Sequence, residues 1–271
     1  MMILLHERPT DVALGTTLFQ LRDQVKPDTD VIVYNGAIVG ADQTLQEGDT
    51  VHLIRRGEMP SAADMEALLV ARHTPGVHEL VRQGVVGIAG LGGLGSTVAV
   101  ALARTGVGKL ILADFDVLEP SNLNRQQYNI PQIGMYKADA LRDVLGQVNP
   151  YVELETKIVR LDEENVLEVF GAVDVMVEAF DTPAAKAMIL KTFRKHRTDV
   201  PLVTASGLAG YGPANQIRTR RILHNLYLVG DEETAARPGM GLMAPRVGVA
   251  ASHQANAVLR LLLGLEVGED E

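Results

Sequence analysis

The chain has 271 residues, 46% apolar and 22% charged, enough for one large α/β domain and a small module with a buried core. A net charge of −9 excludes a general nucleic-acid or membrane-surface binder, since both need a basic footprint. The lack of any cysteine removes disulfides, thiolate metal sites and covalent thiol catalysis from this chain. No apolar run reaches membrane-spanning length, and Met1–His6 lacks the pattern of a secretory leader, so the expectation is a cytoplasmic protein.

In chain order, Met2–His6 is a strand candidate, and Leu14, Leu18, Leu21 and Val25 recur at helical spacing over Leu14–Val25. Val31–Tyr34 and Ala37–Val39 flank Asn35-Gly36, a hairpin signal because both residues tolerate the positive φ of a tight primed turn. Glu47-Gly48-Asp49 turns the chain into a strand at Thr50–Ile54. This order fits a β-grasp, the ubiquitin-like fold, and other small β modules share its turn density. A polar connector follows, and Ser61 caps an expected helix over Ala62–Ala71, with a further helical turn at Val77–Gln83.

From Val85 the pattern changes to alternating strands and helices. Strands are expected at Val85–Ala89, Lys109–Ala113, Val152–Thr156, Val173–Val177 and Leu202–Ala205. Helices are expected at Gly93–Thr105, Tyr136–Val148, Glu163–Phe170, Pro183–His196 and Val247–Leu263. That alternation implies a Rossmann-like, doubly wound parallel sheet. The expected organisation is a β-grasp domain at 1–57, a linker at 58–64 and the larger α/β domain at 65–271, with Gly268–Glu271 as an acidic tail.

Gly90-Leu91-Gly92-Gly93-Leu94-Gly95 fits the G-x-G-x-x-G fingerprint between a strand and a helix. Gly90, Gly92, Gly93 and Gly95 allow the tight turn and close approach that bring a phosphate to a helix N-terminus. Asp114 ends the next strand, where a carboxylate can bind ribose hydroxyls. Alone this reads as a nucleotide site, with NAD the first expectation. The segment Asp114–Gln126 has no evident use in an NAD fold. Its Asn122, Arg125 and Gln126, with Lys137 beyond, form a polar, cationic cluster able to neutralise a triphosphate. The same residues also suit a solvated loop. Asp181 follows the strand at Val173–Val177, where a carboxylate faces the ligand crevice. It can hold Mg²⁺ beside phosphates, or it can cap the helix that begins near Pro183.

These residues together resemble the ThiF/MoeB/HesA family, relatives of ubiquitin-activating enzymes. The likeness rests on the glycine loop, Asp114-Phe115-Asp116, Ser121-Asn122-Leu123-Asn124-Arg125-Gln126, Gly134-Met135-Tyr136-Lys137, Phe180-Asp181 and the segment Met243–Ala255. It runs from about residue 65 to 265, and the first module resembles a fused ThiS-type sulfur carrier. The resemblance implies an adenylyltransferase that activates the C-terminal carboxylate of a ThiS-like carrier, in thiamine thiazole synthesis, as a homodimer.

Carried over, Gly90, Gly92, Gly93, Gly95, Asp114, Asp116, Asn122 and Gln126 would hold ATP, and Arg125, Lys137 and Asp181 would be catalytic. Asp181 would bind Mg²⁺. Arg72 would correspond to the arginine that relatives lend to a partner's site, or be an ordinary surface arginine. The family's Cys-x-x-Cys pairs are missing, so no zinc is expected, and chemistry stops at the adenylate. The first module runs into Arg55-Arg56-Gly57-Glu58-Met59-Pro60 without a free Gly-Gly end, so a separate carrier is the expected substrate. Adenylation of another carrier or peptide, and a non-catalytic nucleotide-binding scaffold, are the competing readings. The histidines show no ligand-like spacing. Met240–Met243 reads as a loop, a core filler or the border of a tail channel.

Overall fold

The computed structural model describes residues 1–74 and 76–268, so most of the expected acidic tail lies outside the described residues. The chain divides into two compact units, Met1–His78 and Glu79–Glu271.

The first unit is built on a five-stranded sheet of order β2-β1-β5-β3-β4, formed by β1 (Met2–Leu5), β2 (Arg8–Asp11), β3 (Val31–Tyr34), β4 (Ala37–Val39) and β5 (Thr50–Ile54). Helix α1 (Leu18–Val25) covers it, and Ile3, Leu18, Leu21, Val51 and Leu53 form its core. Asn35 and Gly36 both take positive φ, 49° and 82°, the geometry a two-residue hairpin turn demands. The helix starts later than the expected Leu14. Thr17 caps it, its hydroxyl accepting from the Gln20 amide at 3.3 Å while the Gln20 side chain accepts from the Thr17 amide at 3.0 Å. Leu14 is left in the preceding turn, 86% exposed.

Beyond β5 the chain is tied down. Arg55 pairs with Asp28 at 2.5 Å, the Arg56 amide donates to Asp30 at 2.8 Å, and Glu58 pairs with Lys26. Gly57 takes φ 74°, a turn that favours glycine. Ser61 then caps α2 (Ala62–His73), and Asp64 in its first turn reaches Arg8 of β2 at 3.1 Å. α3 (Val77–Gln83) follows.

The second unit holds a seven-stranded sheet of order β11-β12-β10-β9-β6-β7-β8. Its strands are β6 (Val85–Ala89), β7 (Lys109–Ala113), β8 (Glu153–Lys157), β9 (Val175–Glu178), β10 (Leu202–Ala205), β11 (Arg218–Leu223) and β12 (Leu226–Gly230). All neighbours pair parallel except β11, which returns antiparallel on β12. The inner strands are buried along nearly their whole length, which is why they read as unbroken apolar runs. Helices α4 (Gly93–Arg104), α5 (Lys137–Val148), α6 (Val166–Phe170), α7 (Pro183–His196) and α8 (Ala244–Leu262) complete the unit. The small residues of α4 let α8 approach closely: a Cβ on Gly93 would stand 2.9 Å from a Val247 methyl.

Several expected bounds shift: β8 and β9 run Glu153–Lys157 and Val175–Glu178 instead of Val152–Thr156 and Val173–Val177, and α8 begins at Ala244 instead of Val247. The helix foreseen from Glu163 begins at Val166, because the Asp162 carboxylate accepts from the amides of Glu164 and Asn165 and holds a turn there. Strand β9 runs to Glu178 rather than Val177, carrying a carboxylate into the sheet edge. Strands β11 and β12 were not foreseen. Four of the six residues of β11 are arginine or threonine, and its turn carries Asn225 at φ 54° without the glycine that marks a hairpin.

The loops after β10 and β12 are clamped together by one buried pair. Arg246, on the first turn of α8, donates to Asp231 at 2.5 Å and to the carbonyls of Gly212 and Pro213 at 2.8 and 2.9 Å. Burial acts to raise the Asp231 carboxyl. Hydrogen bonds from the Thr234 amide and hydroxyl, the Glu233 amide and Arg246 outweigh it and hold the group at about 2. A depressed carboxyl contributes stability above its unfolded value and loses it as pH falls through the folded one. The difference in unfolding free energy between the native chain and Asp231→Asn is therefore expected to shrink by roughly 2 kcal/mol as pH drops from about 5 to about 2. Denaturant melts across that window check this; a difference independent of pH would mean that the charge is not what stabilises the clamp.

Candidate active site

Strands β7 and β8 lie on one side of β6 and β9, β10 and β12 on the other, so the chain reverses direction across the sheet between β6 and β9. Ligand crevices form at such a switch point, beyond the carboxyl ends of the strands. A cavity of about 1180 Å³ opens there, walled by the turns that follow β6, β7, β8, β9, β10 and β12.

The glycine loop forms its floor. Gly90 takes φ 87°, and a Cβ there would lie 2.9 Å from the Ala179 carbonyl. A Cβ on Gly95 would lie 1.9 Å from the Gly90 carbonyl, so glycine is obligatory where α4 packs on the loop. Gly92 differs: its nearest neighbour would be the Gln126 amide nitrogen at 3.8 Å, an ordinary contact. Among the described residues nothing fills the space over Gly92, which lines the cavity.

Asp114, at the end of β7, is buried beside this loop. One carboxylate oxygen accepts from the Leu91 amide at 2.7 Å and the other from the Asp116 amide at 2.8 Å. Burial raises its carboxyl above the usual range, while the Lys137 charge and the two amides pull the other way. Lys137, at the first position of α5, is also buried and donates to Asp116 at 2.6 Å. Asn122 stabilises the 120–124 turn, its side chain accepting from the Glu119 amide at 3.0 Å. Arg125 follows, its guanidinium donating to Asn124 at 2.8 Å, and Asn124 donates to the Leu242 carbonyl at 3.1 Å on the opposite wall. Gln126 is buried, its side-chain oxygen without a partner among the described residues and its amide nitrogen the nearest atom to the space over Gly92.

Asp181 stands on the loop after β9. It does not cap α7; Thr182 does, its hydroxyl accepting from the Ala185 amide at 3.4 Å. Asp181 is exposed to the cavity and has no hydrogen-bond or ion-pair partner among the described residues. The structure thus brings together Gly90, Gly92, Gly93, Asp114, Asp116, Asn122, Arg125, Gln126, Lys137 and Asp181 around one cavity, with Gly95 packed behind. Arg72 belongs to the first unit, exposed in the last turn of α2.

Sequence reasoning missed the pair that braces the Asp181 loop. Glu178 is fully buried and accepts from Lys186 at 2.9 and 3.1 Å, from the Phe180 amide at 2.7 Å and from the Thr204 hydroxyl. Lys186 also donates to the Ala205 carbonyl at 3.0 Å, linking the ends of β9 and β10. The available signal was an acid ending the apolar run Val175-Met176-Val177, with a lysine eight residues on in the first turn of the next helix. The Met240 stretch is a loop: Met240 packs on Gly210 and Leu242 lines the cavity. Carboxylates (Asp114, Asp116, Glu119, Asp162, Glu163, Asp181) outnumber cations (Arg125, Lys137, Arg160, Lys186) on the walls. A triphosphate entering alone would therefore meet more negative than positive charge, which fits a site that takes its anion together with a cation.

Fold and site together define an α/β protein with a glycine loop that lines a cavity at the switch point of a parallel sheet. The chain matches the model of the ThiF family over residues 67–270 and that of ThiS-like ubiquitin over residues 1–57. It belongs to the ThiF family. It is 30% identical over 189 residues to the adenylyltransferase and sulfurtransferase UBA4 of Candida glabrata, covering 68% of this chain and 43% of that protein. The Yarrowia lipolytica protein of the same name is 30% identical over 183 residues, 66% of this chain and 46% of that protein. The chain therefore spans less than half the length of these relatives. Among solved structures, the E. coli tRNA N6-threonylcarbamoyladenosine dehydratase TcdA in complex with AMP superposes with a TM-score of 0.67 at 20% identity, over 77% of this chain and 98% of that one. E. coli MccB superposes with a TM-score of 0.53 at 22% identity, over 69% and 58%. These two likenesses are of fold.

The contrast between two glycines tests whether the loop is built for a ligand. Gly95→Ala is expected to unfold or grossly destabilise the chain, costing more than about 3 kcal/mol, because the new methyl has no place to go. Gly92→Ala is expected to melt within about 1 kcal/mol of the native chain and to lose nucleotide binding measured by calorimetry. A Gly92→Ala protein that binds normally would mean that no ligand approaches this backbone.

Proposed function

We propose that the chain is an ATP-dependent adenylyltransferase acting on the C-terminal carboxylate of a ThiS-like sulfur carrier. One observation carries this reading: the free glycine-loop surface, the cations Arg125 and Lys137 and the unpartnered Asp181 converge on one cavity. At about 1180 Å³ it exceeds the usual size of a small-ligand pocket, leaving room for a nucleotide and an extended chain end.

In this reading Asp114 holds the ribose, the amides at the start of α4 hold phosphate, and Asn122 and Gln126 shape the wall beside it. The carrier carboxylate is already a nucleophile. It attacks the α-phosphorus, forming the acyl–phosphate bond as the bond to the β-phosphate oxygen breaks and pyrophosphate leaves. Arg125 and Lys137 balance the charge that moves onto the leaving group, Lys137 exchanging its contact with Asp116 for phosphate. Asp181 fits Mg²⁺, which takes one or two carboxylates with phosphates and water; the ion would offset the negative excess on the walls.

The assigned architecture is a carrier-like domain at 1–57, a linker at 58–64 and the adenylation domain at 65–271. The chain end after β5 is pinned to Asp28, Asp30 and Lys26, which supports a separate carrier ending in Gly-Gly as the substrate. The ThiS-like match supports a place in thiamine thiazole synthesis. A cytoplasmic homodimer in which Arg72 serves the partner's site completes the proposal. Among the described residues no helix is long and apolar enough to cross a membrane.

The test is ATP–pyrophosphate exchange with Mg²⁺, with and without an added ThiS-type carrier ending in Gly-Gly. Exchange is expected only with carrier, and Asp181→Ala is expected to lower it by about 100-fold or more. ATP binding without exchange in the presence of any such carrier would overturn the reading in favour of a nucleotide-binding scaffold.

A further inference from the structure

We infer that Tyr128 is a positioning residue that locks the glycine loop with its N–H groups turned toward the ligand. The inference rests on the nucleotide reading of the cavity. Tyr128 lies just beyond the Ser121–Gln126 segment and is 7% exposed. Its hydroxyl donates to the Leu91 carbonyl at 2.7 Å, and the Lys137 carbonyl lies 3.4 Å away. Leu91 sits between Gly90 and Gly92, and its amide is already given to Asp114 at 2.7 Å. Both polar groups of this one loop residue are therefore occupied by buried side chains.

The consequence follows from peptide geometry. In a planar trans peptide the carbonyl and the next N–H point in opposite directions. Holding the Leu91 carbonyl inward on Tyr128 fixes the Gly92 N–H outward. Gly92 and Gly93 line the cavity, and neither amide donates to any group among the described residues. A rotation of the Leu91–Gly92 peptide would replace that donor with a carbonyl oxygen facing an anionic ligand. Glycine at 92 makes such a rotation easy, since no Cβ resists it. The hydroxyl of Tyr128 is what resists it here. Burial first, and the Asp114 charge second, push its ionisation upward, so it remains a donor throughout the working range. Because the hydroxyl also lies over the backbone of Lys137, the same residue ties the loop to the cation of the site.

Tyr128→Phe removes only the hydroxyl and keeps the buried ring. Calorimetric titration of the full chain with ATP and, separately, with adenosine reads the effect. The variant is expected to bind ATP about tenfold more weakly, equivalent to about 1.4 kcal/mol, with adenosine affinity unchanged. A purely structural role would lower the melting temperature without moving the ratio of the two affinities, and that result would overturn the inference. Should Tyr128→Phe fail to fold, replacement of Tyr128 by 4-chlorophenylalanine and by 4-aminophenylalanine makes the same comparison, the second restoring a donor and the ATP affinity with it. Native protein that binds neither ATP nor adenosine would remove the nucleotide reading together with this one, whereas ATP binding at an unchanged ratio removes this one alone.

Discussion

The site hangs on one carboxylate. Asp114 is buried at the end of β7, and its two oxygens each accept one backbone amide, from Leu91 and from Asp116. The first bond fixes the glycine loop after β6. The second turns the chain out of β7 so that Asp116 meets Lys137 and the 120–126 segment can cross the cavity. A buried carboxylate is expensive unless hydrogen-bonded and opposed by charge. Both conditions are met here by groups that the ligand site needs anyway, so the cost of burying Asp114 and the shape of the loop are one problem with one solution.

The same device recurs around the cavity. Glu178 ends β9 and is neutralised by Lys186 of α7; Asp231 follows β12 and is held by Arg246 of α8; Asp116 follows β7 and holds Lys137 of α5. In each case an acid at or just beyond the carboxyl end of a strand meets a base near the start of a helix. Loops that would otherwise be free are thereby fixed at both ends, and the backbone groups they expose are held in place before any ligand arrives. Preorganisation of this kind suits a reaction whose main demand is to position groups and balance charge. In the first unit, Asp28, Asp30 and Lys26 hold the segment after β5 through Arg55, the Arg56 amide and Glu58.

Much of the architecture was legible because its signals are local. The buried parallel strands are unbroken apolar runs, and the glycine loop lies between a strand and a helix, the only context in which its fingerprint carries weight. Asn35-Gly36 announced its hairpin. What was not legible depends on side-chain reach across the fold. Leu14 has the right spacing for a helix, but the capping pair Thr17 and Gln20 decides where the turn begins. The arginine-rich β11 owes its place to β12, not to its own pattern. Glu178 carries no signal of its own in the sequence, because its partners Lys186 and Thr204 lie on other elements. Asp181 offered two readings in the sequence, cap or ligand group; only the fold shows that Thr182 caps the helix and leaves the carboxylate free.

Asp114 is the organiser of the loop. The most direct test is calorimetric ATP binding to Asp114→Asn beside the native chain. An asparagine presents one oxygen and one NH₂ group to two amide donors, so one of the two bonds becomes a donor–donor clash. The account predicts loss of measurable ATP binding in a protein that remains folded, with faster hydrogen exchange confined to the glycine loop and residues 115–126. ATP binding by Asp114→Asn at native affinity would contradict it.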